Sequence, residues 1–399
     1  MLISITLITF SGFFLGFLCK KFKFPSLFGM IIAGIIIGPH VLNLIDESIL
    51  NISSEIRKIA LIVILIRAGL KLDFNDLKKV GRPAILMCFI PATFEVIGMV
   101  LLAPAILGIS VIEAAVLGAV IGAVSPAVIV PRMIKLIDEN RGTDKGIPQM
   151  ILAGASVDDV YVIVLFTTFT SLAMGGEVSV KSFIDIPISI VTGIAGGLLA
   201  GYLLVIYFSR IHMRDSVKVI IVLGISFALT FVEDTWSAIV PFASLIGVMA
   251  LGTMIRRKKQ ELAVRLSSKY DKLWVAAEVF LFVLVGASVE ITSLKSAGIN
   301  AVILIFGVLV FRMIGVFACL IKTGLTVKER IFCMLAYTPK ATVQAAIGGL
   351  PLAMGLDCGN IVLTVSVIAI MITAPLGAFA IDLTYGRFLN SDRTSSDSL

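Results

Sequence analysis

Two adjacent aspartates, Asp158 and Asp159, lie within the apolar segment GASVDDVYVIVLF. A charged side chain at the centre of a bilayer costs at least about 2.5–3.5 kcal/mol on insertion scales. Two of them therefore require a wet cavity or a cation, with a structural ion pair as the alternative. Like charges this close titrate as a pair. Such a carboxylate can hold either a proton or a small hard cation, and that competition is what proton/cation exchange requires.

The two carboxylates cannot share one direction, because neighbouring residues on a helix point about 100° apart. One can face an ion pathway while the other meets a basic partner. Ser156 lies three residues before Asp159 on the same helical face. Its hydroxyl is either a further cation ligand or a packing group.

Three more charged residues lie deep in apolar segments. Glu95 and Arg312 are each the only strong charge of their span, so we expect them to form an ion pair. Lys340 lies in mid-span and must find an acceptor, either a carboxylate or the exposed carbonyl groups of a broken helix. Arg67 lies nearer the end of its span, where its side chain can reach the interface; a functional role is the alternative.

Two spans, the fifth and the twelfth in chain order, are interrupted by proline, in GAVSPAVIVP and AYTPKATVQAAIGGLP. Proline removes a backbone donor, and in lipid the freed groups are tolerated only where protein or a cavity satisfies them. Paired broken helices indicate a transporter binding site, and their odd offset of seven spans fits an inverted repeat. Simple proline kinks are the alternative. The residues assigned to the two interruptions are Ser125, Pro126 and Pro131, and Pro339, Lys340 and Thr342.

The composition is that of a membrane protein. Of the 399 residues, 58% are hydrophobic and only 15% are charged, whereas soluble proteins carry about 25% charged residues. The apolar runs predict an all-α polytopic membrane protein with about thirteen transmembrane helices. The approximate limits are 2–18, 26–45, 56–71, 83–107, 111–136, 147–174, 183–208, 216–232, 238–255, 267–289, 297–321, 329–353 and 359–383.

Basic residues collect in alternate loops, as in Lys20 and Lys21, Lys78 and Lys79, and Arg256 to Lys259. Positive residues mark the cytoplasmic side, so we expect the N-terminus outside, the C-terminus cytoplasmic, and a bacterial inner (plasma) membrane. The net charge of +7 is then a topology signal and predicts no nucleic-acid partner. The expected partner is the lipid bilayer. We expect no cofactor and no soluble regulatory domain, and residues 390–399 are predicted to be a flexible tail.

The segments GAVSPAVIVPRM, GIPQMILAGASVDDV and YTPKATVQAAIG resemble signature segments of NHA-type sodium/proton antiporters, in the cation:proton antiporter superfamily. The resemblance covers the chain from about Glu95 to Ile347. It implies an NhaA-like fold with an inverted repeat and two discontinuous crossing helices. It also implies a homodimer in which a core moves against a dimerising scaffold in an elevator-like motion. Within a single membrane domain, 1–399, the scaffold spans are approximately 1–72 and 183–289, and the core spans approximately 83–174 and 297–383.

The resemblance implies roles for individual residues. Asp159 is the principal carrier of the cation and the proton, and Asp158 is its partner, so these two would bind the transported Na⁺. Lys340 is the basic residue at the crossing helix, and Glu95 and Arg312 form a salt bridge between helices. Some relatives carry lysine at the position of Arg312; arginine stays charged, whereas lysine can release a proton.

The expected function is exchange of Na⁺ or Li⁺ for H⁺ by alternating access, with no enzymatic activity. A potassium/proton exchanger or potassium efflux transporter of the same fold is the alternative. A sodium-coupled symporter is a further one, although no organic-substrate pocket is recognisable. An intramembrane aspartyl protease needs two aspartates that face one water. Adjacent residues on one helix cannot provide that arrangement.

Overall fold

The structure, a computed structural model, describes residues 1–22, 24–71, 81–175, 180–236, 241–289 and 291–390. Within these ranges, the side chains at 156, 180–187, 234, 236 and 291–297 are not described. Residues 391–399 of the predicted tail and the basic residues Lys78 and Lys79 therefore lie outside the described residues, and so does the side chain of Ser156.

The regular elements of the described residues are helices. The first nine are α1 (Leu2–Lys21), α2 (Ser26–Ile37), α3 (Glu47–Asn51), α4 (Ser53–Lys71), α5 (Arg82–Met87), α6 (Ile90–Leu107), α7 (Val111–Ile121), α8 (Pro126–Asp138) and α9 (Ile147–Met174). The others are α10 (Val180–Arg210), α11 (Asp215–Trp236), α12 (Ser244–Lys258), α13 (Gln260–Ala287), α14 (Ile291–Cys319), α15 (Val327–Ala336), α16 (Thr342–Ile347), α17 (Leu350–Ala353) and α18 (Gly359–Phe388). The predicted all-α membrane fold is confirmed.

Eight helical segments of the described chain are long and apolar enough to cross a membrane. They are Leu2–Lys21, Arg82–Leu107, Val111–Asp138, Ile147–Met174, Ile188–Arg210, Asp215–Glu233, Gly298–Cys319 and Gly359–Phe388. The other predicted spans coincide with helices that are shorter or carry more charge, namely α2, α4, α12, α13 and the series α15 to α17. The total of thirteen spans stays a prediction.

The chain forms two compact units. The first comprises Met1–Asp46, Asn75–Val162 and Phe282–Leu399, and the second comprises Glu47–Phe74 and Ile163–Leu281. The functional division into a scaffold and a core stays a prediction.

Close helix packing organises the second unit. Gly197 of α10 lies so close to the backbone of Gly247 in α12 that an added Cβ would overlap its carbonyl group. The spacing of Gly197 and Gly201 therefore serves packing within the chain, since an added Cβ at Gly201 would likewise meet Leu251 of α12.

The first unit contains both interrupted helices, and each begins with a capping box. Ser110 Oγ accepts from the amide of Glu113, whose Oε2 accepts from the amide of Ser110 at 2.7 Å. Thr326 and Glu329 make the same reciprocal bonds at the start of α15. These boxes fix where each helix starts by satisfying amides that have no partner within the helix.

The interruptions themselves are short. Residues 122–125 separate α7 from α8, and residues 337–341 separate α15 from α16. Pro126 opens α8, where its missing N–H costs no helical hydrogen bond. Pro131 lies inside α8, which continues to Asp138. Only one of the two prolines in the fifth span therefore marks a helix end.

Candidate functional site

The two interrupted helices meet at their breaks. The amide of Ser125 donates to the carbonyl of Pro339 at 2.8 Å. Gln344 reaches back from α16, and its Nε2 donates to the carbonyls of Ile121 at 3.1 Å and Ala123 at 2.9 Å. Backbone groups freed by one break are thus satisfied by the other, as a non-helical segment at membrane depth requires.

Arg312 is fully buried and joins both breaks to two carboxylates. Its Nη1 donates to the carbonyl of Gly122 and its Nε to the carbonyl of Tyr337, just beyond the ends of α7 and α15. Nη1 also lies 2.7 Å from Glu95 Oε2, and Nη2 lies 3.0 Å from Asp158 Oδ2. The guanidinium carbon is 5.2 Å from the centre of the Tyr337 ring. A cation here is stabilised by the negative ends of two helix dipoles and by two carboxylates.

Lys340 lies in the second break, and its Nζ is 2.6 Å from Glu95 Oε2. Its backbone amide donates to Thr373 Oγ1 at 2.9 Å. The acceptor that the sequence required is therefore a carboxylate, while the carbonyl groups of Gly122 and Tyr337 at the breaks are bound by Arg312. The structure brings Glu95 and Arg312 together, and it adds Lys340 to the same carboxylate.

The two aspartates have different surroundings. Asp158 is fully buried, and its Oδ2 accepts from the amide of Val124 at 2.7 Å as well as from Arg312. Asp159 is 6% exposed, and its Oδ1 has no hydrogen-bond partner among the described residues. One carboxylate is thus held by the first break, and the other is not neutralised by any described cation.

Further oxygen atoms at the breaks are buried without a hydrogen-bond partner in the described part of the chain. They are Ser125 Oγ, Thr342 Oγ1 and Gln344 Oε1. Hydroxyl, amide and carboxylate oxygens are the ligands that hard cations take in proteins. The chemistry of this donor set suits a small alkali cation.

Four of the five charged side chains of the site balance each other, and the carboxylate of Asp159 is the fifth. Glu95 and Asp158 carry two negative charges, and Arg312 and Lys340 carry two positive charges, joined by the contacts above. Asp159 adds a fifth charge, which nothing in that group offsets.

Arg67 does not belong to this site. In the second unit it forms an ion pair with Asp271, which Lys71 also contacts at 2.9 Å. A structural partner is therefore present, and the position of Asp271 on another helix could not be read from the segment around Arg67.

Sequence reasoning missed three residues of the site: Tyr337, Gln344 and Thr373. Gln344 left a signal, because it is a polar side chain in the apolar run TVQAAIGGL. Thr373 left none, since α18 contains other hydroxyl residues that bond only to their own helix, such as Ser366.

The chain matches the family model described as "Sodium/hydrogen exchanger, transmembrane" over residues 5–384. It is 32% identical to sodium/hydrogen exchanger 9B2 of Xenopus tropicalis, over 98% of this chain and 76% of that protein. It is 33% identical to the human exchanger 9B2, over 92% of this chain and 70% of that protein. The fold is similar to that of the sodium proton antiporter MjNhaP1 from Methanocaldococcus jannaschii, with a TM-score of 0.83 at 21% identity, covering 96% of this chain and 97% of that one.

These comparisons correct one prediction. The bacterial inner-membrane location is wrong, because the curated relatives named above are vertebrate exchangers. A membrane location itself is supported. The alternation of basic loops was a signal about membrane sides, and such a signal carries no information about the kind of organism.

Proposed function

The chain belongs to the sodium/hydrogen exchanger family, whose members are transporters, and on that premise we propose that it exchanges Na⁺ for H⁺ at Asp159. The proposal rests on the different surroundings of the two adjacent aspartates. Asp158 is neutralised by Arg312 and the amide of Val124. Asp159 is buried with an unpartnered oxygen, and a buried carboxylate of this kind must take up a proton or a cation.

Exchange at Asp159 follows from this competition. When the site is open to the side rich in Na⁺, the cation displaces the carboxyl proton, which leaves to water. The hydroxyl and amide oxygens of the breaks, those of Ser125, Thr342 and Gln344, complete the coordination. On the other side, the proton returns and releases the cation. Neither state leaves a bare charge in the site.

Alternating access is proposed to be an elevator-like movement in a homodimer, as the family resemblance implies. In support, every charged residue of the site belongs to the first compact unit. The site can therefore change sides while its internal contacts are kept. Li⁺, which is also a hard cation and is smaller than Na⁺, is proposed as a second substrate.

The stoichiometry is proposed to be one Na⁺ for one H⁺. The four other charges of the site cancel, so only Asp159 changes its occupant during the cycle. A site of this kind moves no net charge, and we expect its turnover to be electroneutral.

Proteoliposomes test the proposal. The purified chain is reconstituted with an outward proton gradient, and dissipation of that gradient is followed after addition of Na⁺, Li⁺ or K⁺. We expect Na⁺ and Li⁺ to dissipate it, and Asp159→Asn to abolish the response. Asp158→Asn should reduce the response to a lesser degree. Equal responses to K⁺ would favour the potassium exchanger, and full activity of Asp159→Asn would exclude Asp159 as the carrier.

A further inference from the structure

A separate cavity of about 590 Å³ lies in the second compact unit, where α10 ends and α11 begins. Its wall is strongly basic. The charged lining residues are Arg214, Lys218, Lys259 and Arg265, with His212 beside them. Phe208 and Met213 supply an apolar part of the wall. None of these residues belongs to the site of Asp159.

Only part of this positive charge is neutralised within the unit. Asp215 lies next to the cavity, where its Oδ2 is 2.9 Å from Arg265 Nε and its Oδ1 is 3.4 Å from Lys218 Nζ. Arg214 and Lys259 form no ion pair in the described part of the chain. One carboxylate thus pairs with two of the four cations, and the cavity has an excess of positive charge that an anion would offset.

Lys218 points to a ligand independently of the charge count. Its side chain is buried, with 8% of the residue exposed. Its ammonium group lies 5.8 Å from the centre of the Phe208 ring, and its contact with Asp215 is long for a charged pair. A desolvated ammonium with three donors is costly unless acceptors surround it. A bound anion in the cavity would supply them.

The position of the cavity indicates where that anion comes from. It lies at the adjoining ends of two candidate membrane spans, Ile188–Arg210 and Asp215–Glu233. Apolar side chains close to these ends are exposed, including Tyr207 at 43% and Val217 at 47%. These helix ends have exposed apolar side chains and a basic cavity, as expected for protein surface at the depth of the lipid headgroups.

We propose that this cavity binds the phosphate group of an anionic phospholipid. The guanidinium groups of Arg214 and Arg265 provide paired donors that match phosphate oxygens, and the two lysines provide point charges. Phe208 and Met213 contact the glycerol and the start of the acyl chains. A soluble phosphate compound has the same anionic group, and the experiment separates the two sources.

The test uses the full-length chain purified in a neutral detergent. Its Tm is measured with added phosphatidylglycerol, with phosphatidylcholine, and with inorganic phosphate. A ligand that binds only the folded state raises the Tm. We expect phosphatidylglycerol to raise it by about 3 °C or more, and the other two to change it by less than a third of that amount.

A pair of double variants locates the effect. Arg214→Gln/Lys259→Gln removes two exposed cations of the cavity that form no ion pair with any described residue, so the fold should be kept. Arg210→Gln/Arg257→Gln removes the same charge from exposed positions outside the cavity. We expect the first variant to lose most of the rise with phosphatidylglycerol and the second to keep it.

The other outcomes are decisive as well. An equal rise with inorganic phosphate, lost in the cavity variant, would keep the site and assign it to a soluble phosphate compound. Equal losses in both variants would mean non-specific attraction to a basic surface and would overturn the proposal. Absence of any rise with phosphatidylglycerol and phosphate in the unmodified protein would overturn it too.

Discussion

At the scale of single residues, five charged side chains share one buried site, and their contacts give them unequal roles. Glu95 holds two cations, Arg312 and Lys340, through one oxygen atom. Asp158 shares Arg312 with Glu95. Asp159 stands outside this group although it is the next residue along the chain. Adjacent positions on a helix point in different directions, so Asp158 contacts Arg312 while Asp159 Oδ1 has no hydrogen-bond partner among the described residues.

The pair of Glu95 and Arg312 gives the first prediction. Glu95→Ala leaves the buried ammonium of Lys340 without its carboxylate, and Arg312→Ala leaves the buried carboxylate of Asp158 without its guanidinium. A loss of this kind costs about 3–5 kcal/mol. We expect each variant to lower the Tm markedly. Because each single variant already loses the contact between Glu95 and Arg312, the double variant loses that contact only once and should lose less than the sum of the two. A double variant equal to that sum would argue against coupling.

Only some of the contacts of Arg312 could be predicted from the sequence. A charge alone in an apolar span must find a partner, and that rule is enough to pair Glu95 with Arg312. The bonds from Arg312 to the carbonyls of Gly122 and Tyr337 were not predicted. They depend on where two breaks far apart in the chain cross, and no local pattern encodes that crossing.

At the scale of helices, the site depends on two breaks that satisfy each other. The side chain of Gln344 donates hydrogen bonds to two carbonyl groups of the first break, those of Ile121 and Ala123. The next amide along the chain, that of Val124, donates to Asp158. Prolines indicated both interruptions, but Pro131 lies within a continuous helix. A membrane helix tolerates a proline when neighbouring helices satisfy the backbone groups that the proline frees. Sequence alone therefore could not tell which of the two prolines marks the interruption.

Replacement of Gln344 tests the two hydrogen bonds that join the second break to the first. In Gln344→Leu, the carbonyls of Ile121 and Ala123 lose their donor, so the first break shifts and the site loses an oxygen ligand. We expect the KM for Na⁺ to rise about tenfold, corresponding to roughly 1.4 kcal/mol. Gln149→Leu is the matched control, since Gln149 lies on α9 and its Oε1 has no hydrogen-bond partner among the described residues. Similar KM values for the two variants would show that the hydrogen bonds of Gln344 to the first break have no effect on cation binding.

Helix packing in the second unit gives a further prediction. An added side chain at Gly197 would overlap the backbone of Gly247, so Gly197→Val must separate α10 from α12. We expect a fall in Tm of several degrees, as for other overpacked sites. Gly224→Val is the control, because no described atom outside its own stretch of helix lies within 4 Å of a Cβ at that position. If both variants melt alike, the close packing does not contribute to stability.

At the scale of the whole molecule, the proposed electroneutral cycle is testable with a clamped membrane potential. In that proposed cycle only Asp159 changes its occupant, and it exchanges one monovalent cation for another. The rate of Na⁺-driven proton movement should therefore be the same at imposed potentials of either sign. A rate that rises with one polarity would mean that a second group, such as Lys340, also gives up its proton.

Composition and apolar runs predicted an all-helical membrane protein, and three segments predicted its family. The assignment of helices to two compact units could not be predicted with the same precision, because it depends on contacts between residues far apart in the chain. Met1–Asp46, for example, belongs to the same compact unit as the interrupted helices. The organism could not be predicted either, since the physics of a membrane span is common to all cells.

The most direct test of the central claim counts protons released when Na⁺ binds to the purified chain. Calorimetric titration in buffers of different ionisation enthalpy gives that number without any transport. We predict about one proton released per Na⁺ bound, because both ions compete for the Asp159 carboxylate, and no release from Asp159→Asn. Binding of Na⁺ without proton release, or unchanged release in Asp159→Asn, would contradict exchange at Asp159.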